Sequence, residues 1–234
     1  MNQFEITDDK GYMEVMASKG IVDFATALSK YPCNRCSLCE LDNHVVVYRG
    51  SPAAKIMLIG EAPGKVEDRT SSPFTGPAGE LLDKIFAYIG VDTNIDMYIG
   101  NIVKCRPVAQ PGSGRENTTP KMSQAEACKP YALREIELIQ PKILIACGLP
   151  AATALFKLGS KTRMKHVGGK FFNYEDSPMN NCECFIMYHP AAILHASGEP
   201  QKERELKQTT AEHMLVLRTK IDQLGIQLSS HREN

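Results

Sequence analysis

A chain of 234 residues can bury one full hydrophobic core, and its 27 basic residues balance 27 acidic ones. Zero formal charge excludes a broadly polybasic protein but leaves room for a local basic face, which is all that a nucleic-acid site requires. No apolar run approaches the roughly 18 residues of a membrane span, and the polar start MNQFEITDDK lacks a signal-peptide pattern, so the chain reads as soluble and intracellular.

Residues 1–30 carry a modest helical pattern (Met13, Met16, Ile21, Phe24, Leu28) and read as an N-terminal extension of one or two cover helices. A main domain over 31–225 follows, then a short tail over 226–234. Within the domain, strand-like runs at 55–61, 97–105, 142–148 and 184–189 alternate with helical patterns at 79–89, 123–139, 149–157 and 202–224. Short continuous apolar strands separated by helices predict an α/β fold with a parallel sheet covered on both faces. The segment 108–121, rich in glycine, proline and threonine, reads as a long surface loop.

The stretch from 55 to 79, KIMLIGEAPGKVEDRTSSPFTGPAG, organises the rest. A buried strand stops at a glycine-rich turn holding Glu61, an acidic pair (Glu67 and Asp68) follows, and a second glycine turn carries Phe74 into a helix. In open α/β sheets the ligand crevice lies beyond the carboxyl ends of the strands, which makes this turn a candidate site. It lacks both the Gly-x-Gly-x-x-Gly spacing and a P-loop lysine–serine pair, so a free nucleotide is not the expected ligand. Asn101 and His189 also stand at or near predicted strand ends, and three polar groups there converge on one crevice.

Eight cysteines are the compositional oddity. Without a secretory signal, metal ligation is favoured over a disulfide framework. Cys33-Asn-Arg-Cys36 can offer two thiolates from one turn, and Cys105 and Cys128 are the candidate partners. Zinc and an iron–sulfur cluster both accept four cysteines, and spacing does not separate them. A redox role for the C-x-x-C is disfavoured because no strand precedes it. Cys147, Cys182 and Cys184 fall in or beside apolar runs and read as core residues.

The ordered set GEAPGKVED, SPFTGPAG, NIVKCRP and HPAAIL, with CNRCSL upstream, resembles the family 4 uracil-DNA glycosylases, over roughly residues 33–217. The resemblance implies a three-layer α/β/α fold with a central four-stranded parallel sheet and a 4Fe-4S cluster on Cys33, Cys36, Cys105 and Cys128, with zinc as the alternative. It also implies hydrolysis of the N-glycosidic bond of deoxyuridine in single- or double-stranded DNA, by a monomer associated with the nucleoid.

The chemistry of such a reaction assigns expected roles. A base must leave the duplex and stack on an aromatic face, for which Phe74 is the candidate. One side-chain amide can satisfy both the donor and the acceptor that distinguish uracil from cytosine, which makes Asn101 the base reader. His189 is the expected donor to the departing uracil O2, Glu61 the group that orients water or stabilises the sugar cation, and Glu67 a weaker catalytic candidate that could instead cap the backbone. Ala62 and Gly64 complete the pocket, standing where the best-known uracil glycosylases keep an aspartate and a thymine-excluding tyrosine. Phosphate contacts are expected from Lys104, Arg106, Lys165 and Lys170, with Ile193 or Leu194 wedging into the duplex. His195 and Gly168 replace basic residues that relatives often carry, and the basic cluster used for covalent trapping of abasic sugars is missing. The rival readings are a catalytically weak DNA-binding module and a glycosylase for other deaminated bases.

Overall fold

The computed structural model describes residues 10–31, 33–41, 43–108, 118–172 and 182–231; most of the predicted 108–121 loop lies outside the described residues. Six strands form one sheet: β1 (Tyr48–Gly50), β2 (Ile56–Gly60), β3 (Met97–Asn101), β4 (Ile143–Cys147), β5 (Phe171–Phe172) and β6 (Glu183–Met187). They lie in the order β1-β3-β2-β4-β6-β5. The four inner strands are parallel, as their unbroken apolar runs predict, and every residue of β2, β3 and β4 is buried.

Four parallel strands form the centre, and among the described residues two short edge strands extend the sheet to six. β1 pairs antiparallel with β3 and β5 antiparallel with β6, so each edge of the parallel sheet carries a short extra strand. At three and two residues these strands are too short to leave a periodic signal. The predicted strand over 97–105 also ends early, at Asn101. There the chain folds over the end of β2, where Ile102 N–H donates to Gly60 O (2.9 Å) and Val103 N–H to Glu61 O (3.0 Å).

Helices cover both faces: α1 (Lys10–Met16), α2 (Ile21–Lys30), α3 (Lys65–Thr70), α4 (Pro77–Ala87), α5 (Met122–Ile139), α6 (Leu149–Phe156), α7 (Met164–Val167), α8 (Pro190–His195) and α9 (Pro200–Gln223). Alternation along β2 divides the core: Met57 and Ile59 join Phe24, Leu28, Tyr131 and Ile136 on one face, while Ile56 and Leu58 meet Leu82, Phe86, Met214 and Leu217 on the other. The N-terminal helices therefore contribute Val15, Phe24 and Leu28 to the main core rather than standing apart as an extension.

A charge network crosses the first of these cores. Tyr98 of β3 donates to Glu135 Oε1 (2.8 Å), and Lys104 Nζ donates to Glu135 Oε2, with both charged groups almost completely buried. Burial pushes the Glu135 carboxyl up, opposed by the Lys104 ammonium and by the Tyr98 hydroxyl. Removing one partner leaves an uncompensated buried charge, so Lys104→Met is expected to lower unfolding stability by about 3 kcal/mol. Adding Glu135→Leu should restore much of that loss, which urea denaturation of the two variants measures.

Candidate active site

The parallel order brings the carboxyl ends of β2, β3 and β6 to one edge, where Glu61, Asn101 and His189 emerge. With Ala62, Gly64, Glu67, Phe74 and the start of α4 they line one cavity of about 830 Å³. Burial disfavours the charged form of Glu61 and raises its pKa.

The aromatic wall is set by glycines that sequence reading passed over. Phe74 is 6% exposed and takes a left-handed backbone conformation (φ 55°), an unfavourable state for a bulky residue that surrounding packing must hold. A Cβ at Gly60 would lie 2.6 Å from Phe74 Cζ and 2.4 Å from Asn101 Oδ1, and one at Gly79 only 1.7 Å from Phe74 O. Gly60 and Gly79 thus create the space in which ring and amide meet. Their only sequence signal was a glycine at a strand end and another in the first turn of a helix.

Asn101 is 1% exposed, and its Oδ1 has no hydrogen-bond partner among the described residues. An orphaned buried acceptor costs about 1–3 kcal/mol, a penalty that a ligand N–H in the cavity would remove. His189 is the N-cap of α8: its Nδ1 accepts from Ala191 N–H (3.1 Å), which places the proton of the neutral ring on Nε2. Burial, helped by the nearby His195, lowers its pKa to about 4, with Glu67 opposing. The imidazole is therefore neutral at physiological pH, and its ring centroid lies 5.7 Å from that of Phe74.

Glu67 occupies both carboxylate oxygens with backbone. Gly64 N–H donates to Oε2 (3.1 Å) and Gly76 N–H to Oε1 (2.7 Å), tying the turn after β2 to the start of α4. This geometry makes Glu67 a clamp between the two glycine turns, and it caps α3, the short helix that carries the acidic pair.

The expected phosphate contacts divide. Lys104 is corrected: at 1% exposure its ammonium turns inward to Glu135 and presents no charge to solvent. Arg106 is half-buried, and its carbonyl accepts from Asn43 Nδ2 (2.8 Å). Lys165 and Lys170 are exposed around α7, away from the cavity lining, and Lys170 Nζ donates to His166 O (2.9 Å). Ile193 is corrected as a wedge, being 4% exposed and packed in α8, whereas Leu194 beside it is 38% exposed. His195, Thr118 and Pro120 also line the cavity, a contribution that the sequence did not reveal.

Beyond the end of β3, Cys33, Cys36, Cys105 and Cys128 line a second, small cavity with Leu28, Leu38 and Tyr131. Among the described residues no group of three or more His, Cys, Asp or Glu is gathered as the shell of a metal ion. The donor set nonetheless suits thiolate ligation. Tyr131 O–H donates to Cys33 Sγ (3.6 Å) and Lys104 N–H to Cys128 Sγ (3.3 Å), both bonds favouring negative sulfur. Burial, reinforced by Cys105 and Cys33 and opposed by the Lys104 N–H and ammonium, pushes the Cys128 thiol up to about 12, and a cation bound beside it would favour the thiolate. Arg35, inside the C-x-x-C, donates to Ala127 O (3.1 Å) and lies 4.0 Å from the Tyr12 ring centroid, so α1 and α5 both hold this turn. Cys147, Cys182 and Cys184 are buried in the core, as expected.

A three-layer α/β fold with a cavity at the carboxyl ends of its parallel strands defines a ligand-binding α/β protein of the doubly covered type. The sequence profile described as "Uracil DNA glycosylase superfamily" matches residues 47–214, and the chain belongs to that family. A type-4 uracil-DNA glycosylase of Pyrobaculum aerophilum is 36% identical over 176 residues, covering 73% of this chain and 85% of the relative. Those of Archaeoglobus fulgidus (34% over 175 residues; 74% and 82% coverage) and Saccharolobus solfataricus (37% over 166 residues; 70% and 73%) are similar.

Two outcomes follow from the geometry. With Glu61 acting as a carboxylate, kcat should fall as pH drops through its raised pKa; in Glu61→Gln that limb should vanish, and the residual rate should stay level until the neutral His189 is lost near pH 4. Glu67→Gln keeps an acceptor for one backbone N–H but turns an amide nitrogen toward the other. A loss of about tenfold in kcat/KM with the Glu61 limb kept is expected, the His189 limb moving lower as the opposing charge is lost; disappearance of the Glu61 limb would overturn the clamp role.

Proposed function

We propose that this protein hydrolyses the N-glycosidic bond of deoxyuridine in DNA, releasing uracil and leaving an abasic site for repair. The observation that carries the reading is that Asn101, whose buried amide oxygen has no partner among the described residues, lines one cavity with Phe74 and His189. Uracil stacked on Phe74 offers its N3–H to Asn101 Oδ1 and its O4 to the amide nitrogen, a pattern that cytosine cannot match. Negative charge developing on the departing base at O2 is met by the Nε2 proton of neutral His189, whose tautomer is held by Ala191 N–H. Glu61, with its raised pKa, orients the attacking water and faces the positive charge on the sugar.

Leu194 fills the space left in the duplex, and Arg106, Lys165 and Lys170 contribute to phosphate attraction. The protein acts as a monomer on single- or double-stranded DNA inside the cell, in association with the nucleoid. No described helix is long and apolar enough to cross a membrane. Cys33, Cys36, Cys105 and Cys128 hold a 4Fe-4S cluster, which when bound cross-links the N-terminal turn, the exit of β3 and α5 and takes no part in bond cleavage. Their convergence and the N–H and O–H donors aimed at sulfur support this assignment.

Purified protein should convert a labelled uracil-containing oligonucleotide to an alkali-sensitive product and leave cytosine and thymine controls intact; no strand break with excess protein would overturn the activity and leave a DNA-binding module. Asn101→Asp removes the amide donor and is expected to relax or reverse the preference for uracil over cytosine. About four irons per chain with visible charge-transfer absorbance is the expected metal analysis; stoichiometric zinc in a colourless protein would replace the cluster assignment.

A further inference from the structure

A third cavity, of about 550 Å³, opens beside the first, and the two share Glu61 and Pro120. It runs between the start of α5 and α6, over the turn formed by Ile102 and Val103, and none of the roles above uses it. Its volume lies in the range of about 300–1,000 Å³ typical of small-ligand sites. Met122, Leu149 and Ala154 give it an apolar lining. Met122 is 73% exposed, a large apolar side chain left uncovered at the groove by the described residues.

We propose that this groove is a nucleobase subsite, which takes the base of one nucleotide next to the uracil when the strand is single. The inference rests on the uracil-excising reading of the first cavity. If uracil enters that cavity with its sugar beside Glu61, the strand must leave past the rim on both sides, and the groove continues from that carboxylate. Its chemistry selects a base over a phosphate. Lys129 and Lys157 stand at the groove, but Glu126 precedes Lys129 by one turn of α5 and Glu61 closes the near end, so the charges are mixed. Apolar side chains that include a polarizable methionine can pack on the face of any base, which makes the contact tolerant of sequence. In a duplex the neighbouring base stays paired and stacked, so the groove acts on single strands.

The test uses oligonucleotides with one uracil and a baseless tetrahydrofuran spacer immediately 5′ or 3′ of it, assayed with the full-length protein. On single strands the spacer on one side should lower kcat/KM about fivefold, as expected for losing about 40 Å² of apolar contact, while the other side has little effect. Ala154→Trp, which fills the groove, should abolish that difference and lower the ratio of single-strand to duplex kcat/KM. Met122→Asp, at the exposed first position of α5, keeps the helix start and should act in the same direction; thermal melting confirms that both variants fold. Equal rates with and without either spacer, or an unchanged strand ratio in both folded variants, would overturn the subsite while uracil release itself continued. Failure to release uracil from every substrate would instead remove the reading on which it rests.

Discussion

The site hangs on one close approach. Gly60 ends β2 in register with Asn101 at the end of β3, and the space above its Cα holds both the Phe74 ring and the Asn101 amide. A methyl group there would collide with each. The glycine thus sets how near an aromatic face and a side-chain amide can stand at the end of a parallel sheet. The other supports follow from that point: Gly79 admits the Phe74 carbonyl, Phe74 accepts a left-handed backbone, and Glu67 clamps the two turns on either side.

Much of this was legible in the sequence, for identifiable reasons. A strand buried on both faces must be apolar throughout, so 55–61, 142–148 and 184–189 announced themselves. Polar residues directly after such runs have few places to go but the crevice, and Glu61, Asn101 and His189 do meet there. Edge strands of two or three residues left no pattern, and α3 was hidden because its cap is a carboxylate three residues into the helix reaching back to a glycine. Lys104 misled because a lysine just past a strand reads as surface, while its partner Glu135 lies 31 residues away on α5. Ile193 and Leu194 are neighbours with opposite exposures, a difference that depends on the direction α8 takes after His189.

The cysteine side repays the same attention to long-range contacts. The motif C-N-R-C indicated two ligating positions, but its setting comes from elsewhere: Tyr12 stacks on Arg35, Tyr131 bonds Cys33, and Leu28 closes the cavity. Helices that looked like a peripheral cover are thus part of the wall around the four sulfurs. Asn101 at the end of β3 lines the proposed base pocket and Cys105, four residues on, the proposed cluster site, and the buried Tyr98–Glu135–Lys104 network joins that strand to the helix bearing Cys128.

The bond from Ala191 N–H to His189 Nδ1 carries a consequence for timing. One hydrogen bond both begins α8, which bears Leu194, and decides which imidazole nitrogen keeps the proton. If α8 unwinds or swings as DNA is searched, the ring loses its fixed tautomer and, with it, its aim at the departing base. In the proposed reaction the aim of the histidine is therefore tied to the first turn of the helix that bears Leu194, so base release and the seating of that turn share one hydrogen bond.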